Sequence, residues 1–135
     1  MFLLDTNVIS EFRKSRPHGG VLAWLESVRD RKLHISAVTL GEIRYGIEIA
    51  RLQDAQKASE MQEWAESLPQ EWSVLPMDAA TFRIWGKLMH QKSRALAEDA
   101  MIAATALQHD LTLATRNVKD FQALGVKLLD PFKAR

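Results

Sequence analysis

The strongest constraint on this chain is an alternation. Short apolar runs at Phe2–Leu4, Leu33–Ser36, Ser73–Leu75, Thr112–Ala114 and Lys127–Leu129 are separated by helical patterns near 6–14, 20–29, 39–50, 53–67, 79–92 and 98–109, with a brief turn or helix over 117–122. Strands alternating with helices imply right-handed crossovers and an α/β fold: a mainly parallel sheet with helices on both faces. Ligands of such a sheet bind outside the carboxyl ends of the strands, near the switch in strand order. The first run, Phe2-Leu3-Leu4, stops at Asp5-Thr6-Asn7, so a carboxylate and two hydrogen-bonding side chains stand at that edge.

Only short interruptions punctuate the pattern, such as Ser15-Arg16-Pro17-His18-Gly19-Gly20 and Leu68-Pro69-Gln70. A chain of 135 residues, 47% hydrophobic, suits one domain with a continuous core and needs no second. It has no cysteine, which removes disulfides, thiolate nucleophiles and cysteine-ligated zinc and fits a reducing cytosol. No apolar stretch approaches the roughly 20 residues of a membrane span, and the start does not read as a signal peptide. A cytoplasmic protein is expected.

A net charge of +1 provides no global field for nucleic acid, so any such binding rests on local clusters. Those are Arg13, Lys14, Arg16 and His18; Arg29, Arg31 and Lys32; and Lys87, His90, Lys92 and Arg94. Each also reads as ordinary solvated surface. His18, His34, His90 and His109 lack metal-ligand spacing and are expected on the surface.

Acids recur where strands give way to helices. Asp5 follows the first strand and reads equally as a helix cap. After the second strand, Glu42 borders the apolar face formed by Leu40, Ile43, Ile47 and Ala50 in the helix's first turn; Thr39-x-x-Glu42 also fits a capping box. Asp99 shares a face with Ile102, Ala103 and Ala106, although Glu98 and Asp99 alike suit a helix N-terminus. The fourth strand ends in Thr115-Arg116-Asn117, where a turn would explain the polar residues. Carboxylates gathered at one edge repel and raise one another's pKa unless a cation compensates. An all-oxygen donor set without His or Cys spacing favours Mg²⁺ or Mn²⁺ over zinc.

These segments, taken in order, resemble a known family. Asp5-Thr6-Asn7, Glu42 in Gly-Glu-Ile-Arg-Tyr-Gly, Asp99 in Asp-Ala-Met-Ile-Ala-Ala-Thr-Ala, and Thr115-Arg116-Asn117 with Asp120-Phe121 are similar to the motif set of PIN-domain ribonucleases, and within them of VapC-type toxins. The resemblance spans nearly the whole chain. It implies a three-layer α/β/α sandwich around a five-stranded sheet, a homodimer, a VapB-type antitoxin partner, and Mg²⁺-dependent RNA hydrolysis by Asp5, Glu42 and Asp99. It also selects Asp99 over Glu98. Many relatives carry a fourth acid where this chain has Asn117, which can hydrogen-bond a metal-bound water; Asp120 would be an outer-shell carboxylate or a turn cap. Asn7 and Thr115 are expected to orient the acids, and Lys14, Arg16, Arg44 and Arg116 to contact phosphates.

Other chemistries compete. An aspartyl phosphotransferase of the haloacid-dehalogenase type needs Asp-x-Asp, whereas this chain has Asp5-x-Asn7. A non-catalytic nucleic-acid or protein-binding module would have no need of three acids. Trp24 and Trp64 are candidates for partner contacts, with core burial as the alternative.

Overall fold

The computed structural model describes residues 1–28 and 32–133. Arg29 and Arg31, and so the end of the helix expected near 20–29, lie outside the described residues. The elements run β1 (Phe2–Leu4), α1 (Thr6–Ile9), α2 (Gly19–Val28), β2 (Leu33–Ser36), α3 (Ala37–Arg51), α4 (Ala55–Glu71), β3 (Ser73–Leu75), α5 (Ala79–Met89), α6 (Ala97–Gln108), β4 (Thr112–Ala114), α7 (Val118–Phe121) and β5 (Leu128–Leu129).

The five strands form one sheet in the order β3-β2-β1-β4-β5. Every pairing is parallel, so the sheet is wholly rather than mainly parallel. The chain builds outward from β1 to β3 and then returns to the other side of β1, which places the switch between β1 and β4. There the Asp5 N–H donates to the Ala114 carbonyl at 2.9 Å, joining the ends of the two strands.

Period-two alternation along β1 divides the core between the two faces of the sheet. Phe2 and Leu4 pack with Val21 and Trp24 of α2, Ile43 and Ile47 of α3, and Ala58 and Leu68 of α4. Leu3 instead joins Ala100, Ile102, Ala103 and Ala106 of α6 and Phe121 of α7. The result is the three-layer α/β/α sandwich. Trp24 and Trp64 both serve the first layer: Trp24 is buried edge-on against Phe2, with ring centroids 5.2 Å apart, and Trp64 packs on the same core from α4.

Several expected boundaries move. The helix near 6–14 is a single α turn followed by a 3₁₀ segment, Ser10–Arg13. Glu11 fixes that geometry: it is 5% exposed, and its carboxylate holds Lys14 at 2.6 Å and the His18 N–H at 3.0 Å. Helix α3 starts before Thr39. Its cap is Ser36, whose Oγ accepts from the Val38 N–H at 3.0 Å, so the expected capping box does not form and Glu42 falls in the second turn. Leu68-Pro69-Gln70 does not interrupt the chain but lies inside α4, because buried Leu68 and core-packed Trp72 anchor that last turn. A 3₁₀ turn, Arg94–Leu96, introduces α6, and another, Gln122–Leu124, follows α7 and ends on Gly125 at φ +72°.

His34 is not on the surface. It lies on β2 at 8% exposure with its Nδ1 unpartnered, and burial holds its pKa below the usual imidazole value.

Candidate functional site

Asp5 is both a helix cap and a member of an acidic cluster, because its two oxygens are used differently. Oδ1 accepts from the Thr6 N–H at 2.8 Å and caps α1. Oδ2 accepts from the Thr115 hydroxyl at 2.7 Å and from Asn7 Nδ2 at 3.4 Å. Asn7 also receives the Arg116 N–H on its Oδ1 at 3.1 Å, and the Asn117 N–H bonds Thr115 Oγ1 at 3.0 Å. Asp5 is 6% exposed. Burial raises its pKa, and the Thr115, Thr6 and Asn7 hydrogen bonds oppose that rise.

Glu42 reaches the same edge from α3. Its Oε1 accepts from the Thr6 hydroxyl at 2.8 Å, and that hydroxyl also approaches Thr39 Oγ1 at 3.3 Å. Burial is the largest cause pushing the Glu42 carboxyl up to about 7; the hydrogen-bonding carboxyl of Glu98 and the charges of Glu98 and Asp5 add to it, against the Thr6 bond. Asp99, in the first turn of α6, is raised to about 6 by burial first and then by the charges of Asp5, Asp120 and Glu98.

The structure thus places Asp5 within electrostatic reach of both Glu42 and Asp99, with Asp120 also acting on Asp99. It also adds Glu98, which hydrogen-bonds Glu42. The sequence does hold a signal for Glu98, its place beside Asp99 in the first turn of one helix. Thr6 is the other addition, since its hydroxyl ties the start of α1 to α3. Asn117 starts α7 without a side-chain cap bond and, like Asp120, is exposed.

The basic residues separate. Arg116 stands at the edge of the cluster with its guanidinium 4.6 Å from the centre of the Phe132 ring. Lys14 is paired with Glu11 and Arg44 with Glu48 at 2.9 Å, so neither charge is uncommitted. Arg16 is exposed on the segment before α2.

The donors are carboxylate and hydroxyl oxygens, which suit a hard divalent ion. Among the described residues no group of three His, Cys, Asp or Glu side chains closes a metal cage by itself. Mg²⁺ ordinarily takes only one or two carboxylates and completes its shell with water, so it does not require such a cage.

A wholly parallel five-stranded sheet with acids gathered at its switch point is the architecture described above, and the family model described as PIN domain matches residues 2–127. The chain belongs to the PIN-domain family. It is 34% identical to VapC ribonuclease Y4jK of Sinorhizobium fredii over 138 residues, covering 98% of this chain and 99% of that protein. It is 39% identical to Toxin FitB of Neisseria gonorrhoeae over 140 residues, again covering 98% of this chain and 99% of the relative. Among solved structures, FitAcB from Neisseria gonorrhoeae superposes with a TM-score of 0.83 at 38% identity, covering 98% of this chain and 99% of that one.

No helix among the described residues is long and apolar enough to cross a membrane.

Proposed function

We propose that this protein is a Mg²⁺-dependent endoribonuclease and the toxin of a bacterial toxin–antitoxin pair. The carrying observation is the gathering of acids around the carboxyl end of β1: Thr6, next to Asp5, donates to Glu42 at 2.8 Å, and the charge of Asp5 raises both the Glu42 and the Asp99 carboxyl, on top of their burial. A fold that holds like charges together so closely loses stability unless a cation joins them. Kinship with proteins named as a ribonuclease and as a toxin supports the reaction and the biological role.

Asp5, Glu42 and Asp99 would hold the ion, one or two of the carboxylates directly and the remainder through its water shell, with Mn²⁺ able to replace Mg²⁺. When bound, it supplies Lewis-acid charge for phosphodiester hydrolysis. Thr115 and Asn7 orient Asp5, and Thr6 orients Glu42, so the acids meet the ion without rotating into place. Asp120 adds negative charge on the Asp99 side, and Asn117 offers an amide to a water near it. Arg116, braced on Phe132, is positioned for a phosphate of the RNA. The protein acts as a homodimer, and a VapB-type antitoxin inhibits it by covering the acidic edge with a cationic side chain.

The test is sequencing of RNA ends after brief expression of wild type beside Asp5→Asn, together with cleavage by the purified proteins in chelator, Mg²⁺ and Mn²⁺. New ends that require both Asp5 and the ion support the reading. Wild type that binds RNA yet never cuts it overturns the reading in favour of a binding module.

A further inference from the structure

The acidic cluster opens on one side into a groove of about 640 Å³, lined by Val38, Gly41, Glu42, Tyr45, Glu98 and Met101. Because Glu42 and Glu98 belong to both, the groove runs directly from the proposed reacting edge. Tyr45 lies one helical turn beyond Glu42 on α3 and is 72% exposed. It is the only tyrosine of the chain, and among the described residues its ring pairs with no other aromatic ring.

Gly41 also lines the groove. Glycine inside a helix costs about 1 kcal/mol relative to alanine. Yet a Cβ placed on Gly41 would meet nothing within 4 Å. Packing within the chain therefore does not call for glycine there. Gly41 thus adds no side chain to the part of the groove wall it lines, one helical turn before Tyr45.

Resting on the ribonuclease reading above, we propose that this groove is a base subsite, in which Tyr45 stacks on an unpaired nucleobase of the RNA next to the scissile phosphate. Single-stranded RNA is commonly recognised by splaying bases onto aromatic side chains and reading their edges. The groove has the parts for this: an exposed ring, a wall without a side chain at Gly41, and apolar flanks at Val38 and Met101. The carboxylate of Glu98 repels phosphate, which directs the base rather than the backbone into the groove, and it accepts hydrogen bonds from base N–H groups. A volume of about 640 Å³ also falls within the ligand-pocket range of about 300–1,000 Å³.

The probes are an end-labelled pool of short single-stranded RNAs for kinetics, and a 2-aminopurine-containing single strand for stacking, the latter in an Asp99→Asn background that does not cut. Stacking on an aromatic side chain is worth roughly 1–3 kcal/mol. Tyr45→Ala should therefore raise KM about tenfold or more, broaden the base preference beside the cut and lose 2-aminopurine quenching, while Tyr45→Phe retains all three. Gly41→Leu should obstruct the base and raise KM with no fall in melting temperature, since leucine is the better helix former. The subsite alone is overturned if wild type cleaves and Tyr45→Ala matches it in KM, base preference and quenching. It is also overturned if Tyr45→Ala keeps wild-type cleavage but escapes antitoxin, or becomes monomeric, because the groove then belongs to a protein partner. Wild type without cleavage in Mg²⁺ or Mn²⁺ overturns the ribonuclease reading itself, and the subsite with it.

Discussion

The hydroxyl of Thr115 donates to Asp5 Oδ2 at 2.7 Å, a buried bond between residues 110 positions apart in the chain. It joins the side chains immediately following β1 and β4, the strands between which the sheet reverses its order. Asp5 is thereby held ionisable in a place where burial alone would favour its neutral form. The acid at the switch point and the residue that keeps it usable come from opposite ends of the sequence.

Replacing Thr115 by Val should therefore act through Asp5. Thr115 is fully buried, and losing a hydrogen bond to a charged group costs about 1.5–3 kcal/mol. The variant should melt lower. Its cleavage should survive at alkaline pH and fail sooner on acidification, because Asp5 then protonates more readily. A pH–rate profile of Thr115→Val superimposable on wild type would refute the positioning role.

Neutralising Asp5 or Asp99 should abolish function without unfolding the protein. Groups that hold an ion jointly fail jointly, so Asp5→Asn, Glu42→Gln and Asp99→Asn should each depress RNA cleavage by orders of magnitude. Circular dichroism should remain native. Cleavage by Asp99→Asn near the wild-type rate would remove that residue from the site.

The raised carboxyls also set a pH dependence of stability in chelator. A carboxyl whose folded pKa exceeds its unfolded value stabilises the fold fully below the unfolded value and ceases to do so as pH rises through the folded one. Glu42 moves from 4.5 to about 7 and Asp99 from 3.8 to about 6, so the loss spans about pH 4 to pH 7. Asp99→Asn lacks its share of that loss. Its melting temperature should match wild type near the acidic end and exceed it above about pH 7, the upper limit of that window. Mg²⁺ should close the gap, since a ligand of the folded site at a hundredfold excess over its Kd adds about 2.7 kcal/mol. Melts across pH, with and without Mg²⁺, decide this; a wild type indifferent to the ion would count against the metal.

Glu98→Gln should ease ionisation of Glu42, because Glu98 raises the Glu42 pKa both by its hydrogen bond and by its charge. The acid limb of the cleavage profile should then shift to lower pH, with the plateau rate little changed. A fall comparable to that of Glu42→Gln would instead make Glu98 a ligand in its own right.

The alternation of apolar runs with helical periodicity was enough to specify an α/β chain with parallel strands, because the central strands are buried on both faces and most of the helices on one. The core strands fall where the apolar runs place them, and only the edge strand β5 begins a residue later than expected. Local chemistry was also legible where it is purely local, as with Asp5 capping α1. Boundaries that depend on distant packing were not. Pro69 suggests a break, yet Leu68 buries itself and the helix continues; Thr39 suggests a cap, yet Ser36 lies nearer the end of β2 and takes that role. Periodicity also cannot tell which polar residue of a fully buried strand stays inside, and so His34 was expected in solvent. What the tertiary structure alone decided is who meets at the switch point. Thr6 reaching Glu42, Glu98 bonding the same carboxyl and Thr115 holding Asp5 are contacts across strand and helix ends. Their geometry depends on sheet order and on how closely α3 and α6 approach β1, and neither leaves a mark on neighbouring residues in the sequence.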